Sequence, residues 1–140
     1  MLHSTRLLAL PLVAALCMPA VAASPEEAAV QLRDALSREV ATLESVTSAD
    51  AAAEALPKLR AVLAELDAMD RSPEAQKDLW IHIDNTPGVK QPLIELVQRL
   101  CIQLTRLEKL HFYGHEGLRA ALAPQFPPPA EEGETGGPAA

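Results

Sequence analysis

Leu93, Val97, Leu100, Leu104, Leu107 and His111 follow one another at spacings of 4, 3, 4, 3 and 4, and only an α-helix sets residues so spaced on one face. At about 100° per residue, and with Ile94, Leu96 and Cys101 at the margins, they cover an arc of roughly 160°. The spacing predicts a helix from about Gln91 to Tyr113, closed by Gly114 just past its end. A stripe this broad touches two neighbours at once, so the helix is expected to stand at the centre of a bundle.

The rest of the chain supplies the partners. Ser24-Pro25-Glu26-Glu27 is a helix start, with Ser24 as N-cap, Pro25 at the first helical position and Glu27 placed for a capping box. Leu32, Leu36, Val40, Leu43 and Val46 then form one stripe, with Arg33, Asp34, Arg38 and Glu44 opposite. Thr47-Ser48-Ala49-Asp50 interrupts it and opens a second helix, whose apolar positions are Ala52, Leu56, Leu59, Leu63, Leu66 and Met69. Pro57 lies inside that segment and predicts a kink or short break, because its ring removes one hydrogen bond and crowds the preceding turn. Ser72-Pro73-Glu74 repeats the start signal for a shorter helix through Leu79, Trp80 and Ile83, stopped at Asn85-Thr86-Pro87-Gly88. Ala and Leu dominate and there are only one Trp, one Tyr and two Phe, a composition that favours helix over strand. The expected fold is all-α: a small antiparallel bundle of about four helices over residues 24–123. Residues 124–140, rich in Pro, Gly and Glu without apolar period, read as a disordered acidic tail.

Residues 1–23, MLHSTRLLALPLVAALCMPAVAA, have the form of a secretory signal peptide. Arg6 is the basic region, Leu7 to Met18 the apolar one, and Ala20-Val21-Ala22 or Val21-Ala22-Ala23 the cleavage site. About a dozen apolar residues are too few to span a bilayer, so no transmembrane anchor is expected after cleavage. The expected location is periplasmic or extracellular, in a bacterium. Removing the segment leaves 117 residues with 11 basic and 19 acidic side chains, a formal charge of −8. An acidic surface lacks the Lys/Arg patch that releases counterions on nucleic acid or anionic lipid, so neither is an expected partner. Cys17 falls within the signal segment, where Leu16 occupies a position that a lipidation site would fill differently. Cys101 is then the single cysteine of the exported chain, and an internal disulfide is ruled out.

Five residues are candidates for chemistry, each with a plainer alternative. His111 and His115, four apart, offer the start of a zinc or copper site with Glu108 or Glu116; otherwise His111 closes the apolar stripe near the helix C-terminus and His115 faces water. Cys101 is either a small hydrophobe or an intermolecular thiol. Glu39 falls between Leu32 and Val46 on the first stripe; a buried carboxylate there is a functional candidate, but the expectation is a stem lying along the helix edge with its carboxylate in water. Trp80, the lone Trp, is expected to anchor the core, with a ligand platform as the alternative. No Gly-rich phosphate loop, Cys/His metal framework or nucleophile motif occurs, so no cofactor is expected and the chain does not read as an enzyme.

Val46-Thr47-Ser48-Ala49-Asp50-Ala51-Ala52-Ala53, followed by Leu56 to Leu66, resembles a stretch found in small, uncharacterised exported helical bacterial proteins. The resemblance implies no activity and carries no catalytic residues. The function expected is non-catalytic: an exported interaction or envelope-associated module with a protein partner or a self-association face. Apolar residues of the last helix off its main stripe, Ile102 and Leu110, are the hint. The alternative is a metal- or ligand-binding bundle using His111, His115, Glu39 or Cys101.

Overall fold

A computed structural model of the protein describes residues 23–126. The signal-peptide reading and most of the acidic tail lie outside them. The described chain is all-helical, with five α-helices in place of the expected four: α1 Pro25–Glu44, α2 Ala49–Asp67, α3 Pro73–Asn85, α4 Pro87–Lys109 and α5 Glu116–Leu122. None is long and apolar enough to cross a membrane.

The three serine starts behave as their chemistry dictates. Ser24, Ser48 and Ser72 accept, through Oγ, the N–H groups of Glu27 (3.2 Å), Ala51 (3.1 Å) and Ala75 (3.3 Å), each satisfying a donor that the first helical turn leaves orphaned. Pro57 does not divide its helix, which runs unbroken from Ala49 to Asp67. Its ring lies on the exposed side, where water reaches the Ala53 carbonyl that loses its partner. The Pro87-Gly88 pair, read as a stop, is also a start. Thr86 alone separates α3 from α4: the proline ring drives Thr86 out of helical geometry (φ −126°, ψ 88°), and Pro87 then takes the first position of α4, where a missing N–H costs nothing.

That one-residue junction sets the topology. α1 and α2 form an antiparallel hairpin, with Leu43 and Val46 clustered with Ala52 and Ala55 and Arg38 paired to Glu65. α3 and α4 instead follow the direction of α1. Ser72 to Leu79 flank Pro25 to Gln31, Ile83 and Leu93 approach Leu36, Arg99 reaches Glu44, and Arg106 reaches Leu43 and Val46. α5 turns back and lies along α2, with Gly117 against Leu56 and Ala121 near Leu63. A Cβ at Gly117 would come within 2.9 Å of the Leu56 side chain, so glycine permits this approach. The central helix is accordingly α1, packed on α2, α3 and α4, and not α4 as its wide stripe suggested.

The core has two lobes. One gathers Leu43, Val46, Leu59, Leu104, Leu107, Leu118 and Leu122; the other gathers Ala29, Leu36, Val40, Leu79, Ile83, Leu93 and Leu96. Leu100 packs against both. α4 ends at Lys109, four residues before the sequence predicts, because His111, Phe112 and Tyr113 adopt φ of 51°, 54° and 52° and Gly114 72°. This left-handed turn swings Phe112 into the first lobe, where it meets Phe126 edge to face at 5.7 Å and lies under Arg119 at 5.6 Å. Pro124, Gln125 and Phe126, assigned by composition to the tail, pack on the bundle through these contacts and a bond from Gln125 to Glu39.

Candidate functional site

The broad stripe of α4 is only partly consumed. Leu93, Leu96, Leu104 and Leu107 are buried against α1 and its neighbours, while Val97, counted on the stripe, is 46% exposed. Ile94, Cys101, Ile102 and Leu110 also face outward, Ile102 at 62% and Leu110 at 44%. The arc exceeds what α1 and α3 cover, so its outer part stays in water. At 1.5 Å per residue the exposed tract from Ile94 to Leu110 is about 24 Å long. Its lower half is a shallow concavity floored by Cys101, Ile102, Thr105 and Leu110 with Arg106 and Lys109 beside them.

At its upper end the tract runs into a groove of about 420 Å³ between α1, α3 and α4. Trp80 forms one wall of this groove with Leu32, Leu36, Ile83, Ile94 and Val97. Trp80 is 54% exposed and so is not the core anchor the sequence predicts; that place falls to Leu79 and Ile83, one turn apart on the inner side of α3. At the rim, Lys90 and Asp84 pair with each other at 3.0 Å. The groove thus presents apolar surface within a self-neutralised edge.

The residues singled out for chemistry are not brought together. His111 is exposed at the start of the left-handed turn. His115 lies beyond it as the N-cap of α5, its Nδ1 accepting the Leu118 N–H at 3.1 Å. Both lie beyond the end of α4 at Lys109 and are separated by the left-handed turn, so the shared face implied by a spacing of four does not exist. Among the described residues no three His, Cys, Asp or Glu side chains are grouped to hold a metal ion. Glu39 does not lie along the helix edge as expected: it is 1% exposed. Burial raises its pKa, opposed by the hydrogen bond that Gln125 Nε2 donates to Oε1.

Sequence reasoning missed Arg106. Its guanidinium donates to the carbonyls of Leu43 and Val46 at 2.9 Å each, to Gln103 Oε1 at 2.8 Å and to the Tyr113 hydroxyl at 3.3 Å. It thereby closes the C-terminal end of α1, fixes α4 against it and steadies the left-handed turn. A faint signal existed, since α1 has no basic residue in its own last turn and a cation from elsewhere is favourable at a helix C-terminus. Gln125 had no such signal, standing in a Pro-rich stretch.

No family model, curated protein or solved structure matches the chain.

Proposed function

We propose that the protein is an exported, non-catalytic interaction module that associates with a second copy of itself through the outer face of α4. The observation that carries this reading is the exposed tract of Ile94, Val97, Cys101, Ile102 and Leu110 on a single helix. The tract is self-complementary in sequence. Ile94, Gln98, Ile102, Arg106 and Leu110 form one i+4 ridge, the kind that interdigitates when two helices cross. With a two-fold axis at Ile102, antiparallel copies set Ile94 against Leu110, Glu95 against Lys109 and Ile102 against its own counterpart. A face built on one helix supports a weak, reversible dimer, roughly micromolar to millimolar, and not an obligate one. Export rests on Arg6, the apolar run Leu7 to Met18 and the small residues before Ser24.

The test is light scattering coupled to gel filtration over a hundredfold range of concentration, with and without reductant. A dimer that dissociates on dilution, ignores reductant and weakens at least about tenfold in Ile102→Glu is the expected result. A monomer at every concentration, or a dimer abolished by reductant, would overturn the helical face as the seat of association.

A further inference from the structure

Glu39 is the single buried charged side chain among the described residues, and it borders a cavity. A space of about 400 Å³ opens between α1, α2, α4 and α5, walled by Leu36, Leu63, Leu66, Leu100 and Ala121. Pro124 and Gln125 lie across one side, with Asp67 and Arg71 at another. Gln125 satisfies Oε1 of the carboxyl. No hydrogen bond to Oε2 is formed among the described residues, and no fully enclosed side-chain oxygen there lacks a partner. Glu39 is itself one of the residues lining the cavity.

Among the described residues none gives this carboxylate a countercharge. Arg71, at the rim, is paired with Asp67 at 2.7 Å. Arg38, next to Glu39 in sequence, is turned to Glu65 on the outer side of α1 and α2. Removing an ionised carboxylate from water without a partner is costly, and the buried stripe of a helix does not ordinarily keep such a group. A molecule bringing both a positive charge and an apolar body would satisfy the two halves of the site together. One carboxylate among leucines is too poor in oxygens for a divalent cation, and no aromatic face lines the cavity to receive a quaternary ammonium.

We infer that the Glu39 cavity binds a small organic cation, a protonated primary or secondary amine on a compact apolar body, its ammonium donating to Glu39 Oε2. The volume lies at the small end of ligand-site sizes, which limits the body to a single ring or a short alkyl chain held by Leu63, Leu66 and Leu100. Ammonium binding favours the ionised carboxylate, so affinity rises with pH through the titration of Glu39. The rim charges, Asp67 and Arg71, compensate each other and add little to this dependence.

The experiment titrates the purified full-length chain with 2-phenylethylamine and with 2-phenylethanol, its neutral counterpart, following backbone amide shifts by NMR. The amine is expected to perturb Glu39, Leu63, Leu100 and Ala121 and to bind at least about tenfold more tightly than the alcohol, the margin of a hydrogen bond to a charged group. In Glu39→Gln, which keeps the shape, the preference collapses to within about twofold. Equal binding of alcohol and amine by the wild type would reduce the site to an apolar hole and overturn the inference. So would an amine preference that survives Glu39→Gln, or no amine binding up to about 10 mM. Should Glu39→Gln not fold, Ala121→Phe fills the cavity from α5 and must abolish the amine-induced shifts, while the wild-type comparison stands alone. None of these results depends on whether α4 dimerises.

Discussion

Arg106 and Glu39 are both polar groups held against the core of α1, and they act in opposite senses. Arg106 supplies a donor to the Val46 carbonyl and a second one to the Leu43 carbonyl, which also accepts the Val46 N–H. Arg106→Ala leaves the Val46 carbonyl and the Tyr113 hydroxyl short of a partner and takes a second donor from the Leu43 carbonyl, which keeps the Val46 N–H; it should cost about 1–3 kcal/mol in urea unfolding. Arg106→Lys should recover less than half of it, since a point charge cannot serve two carbonyls and a side-chain amide from one fork. Glu39 is the reverse case. Burial raises its pKa above the unfolded value, so the folded state holds the proton more firmly. Its contribution to stability is fully present below the unfolded pKa and is lost as pH rises through the folded one. Glu65, lowered by its bond to Arg38, and Asp70, lowered by its bonds to Ser72, run the other way and lose stability as pH falls. The difference between wild type and Glu39→Gln isolates the first effect. In melting curves from pH 4 to pH 7 the variant should gain on the wild type as pH rises and be at least as stable at neutrality. The out-of-place carboxylate was visible in the sequence; its burial was not, because Gln125, 86 residues away, completes its enclosure.

At the scale of elements, the serine and proline starts of α1, α2 and α3 were legible because capping is local chemistry within four residues. The departures come where tertiary packing overrode local preference. Three consecutive non-glycine residues in the left-handed region are disfavoured by about 1–2 kcal/mol each, and burial of Phe112 with its contacts to Phe126 and Arg119 offsets that strain. His111 is exposed and left-handed, so His111→Gly should relieve strain and stabilise by up to about 1 kcal/mol in thermal melts, despite the greater entropy glycine has in the unfolded chain. Pro57 is a second local conflict. As it is exposed within a continuous helix, Pro57→Ala should restore a hydrogen bond and stabilise by roughly 1–3 kcal/mol, read as a rise in Tm with no loss of helical circular dichroism. A fall in Tm for that variant would mean that the proline is needed to shape the face of α2 under α5.

Among the described residues, apolar surface is divided between a two-lobed core and an outer tract that none of the five helices covers. Stability and association should therefore separate. Ile102→Glu removes an exposed side chain and is expected to leave the unfolding midpoint within about 0.5 kcal/mol of wild type while weakening self-association. Leu107→Ala, at the same helix but fully buried, should cost about 2–5 kcal/mol. Export makes its own prediction: the chain recovered from outside the cytoplasm of a bacterial host should have the mass of a polypeptide beginning near Ser24. A mass that includes Met1 would contradict the cleavage reading.

The sequence by itself determined the helical class, the serine-capped starts of three helices and most of the buried stripe of α1, since periodicity and capping depend on residues within a turn or two of each other. It also marked α4 as carrying more apolar surface than one neighbour could use. Only the tertiary structure decided how much of that surface stays in water, because coverage depends on the direction α4 takes from α3 across Thr86, a consequence of one residue before a proline. The same holds for Glu39, buried where four helices meet; for Arg106, which serves carbonyls some 60 residues away; and for the two histidines, separated by a turn whose strain is sustained by the packing of Phe112 and the bond from Arg106 to Tyr113.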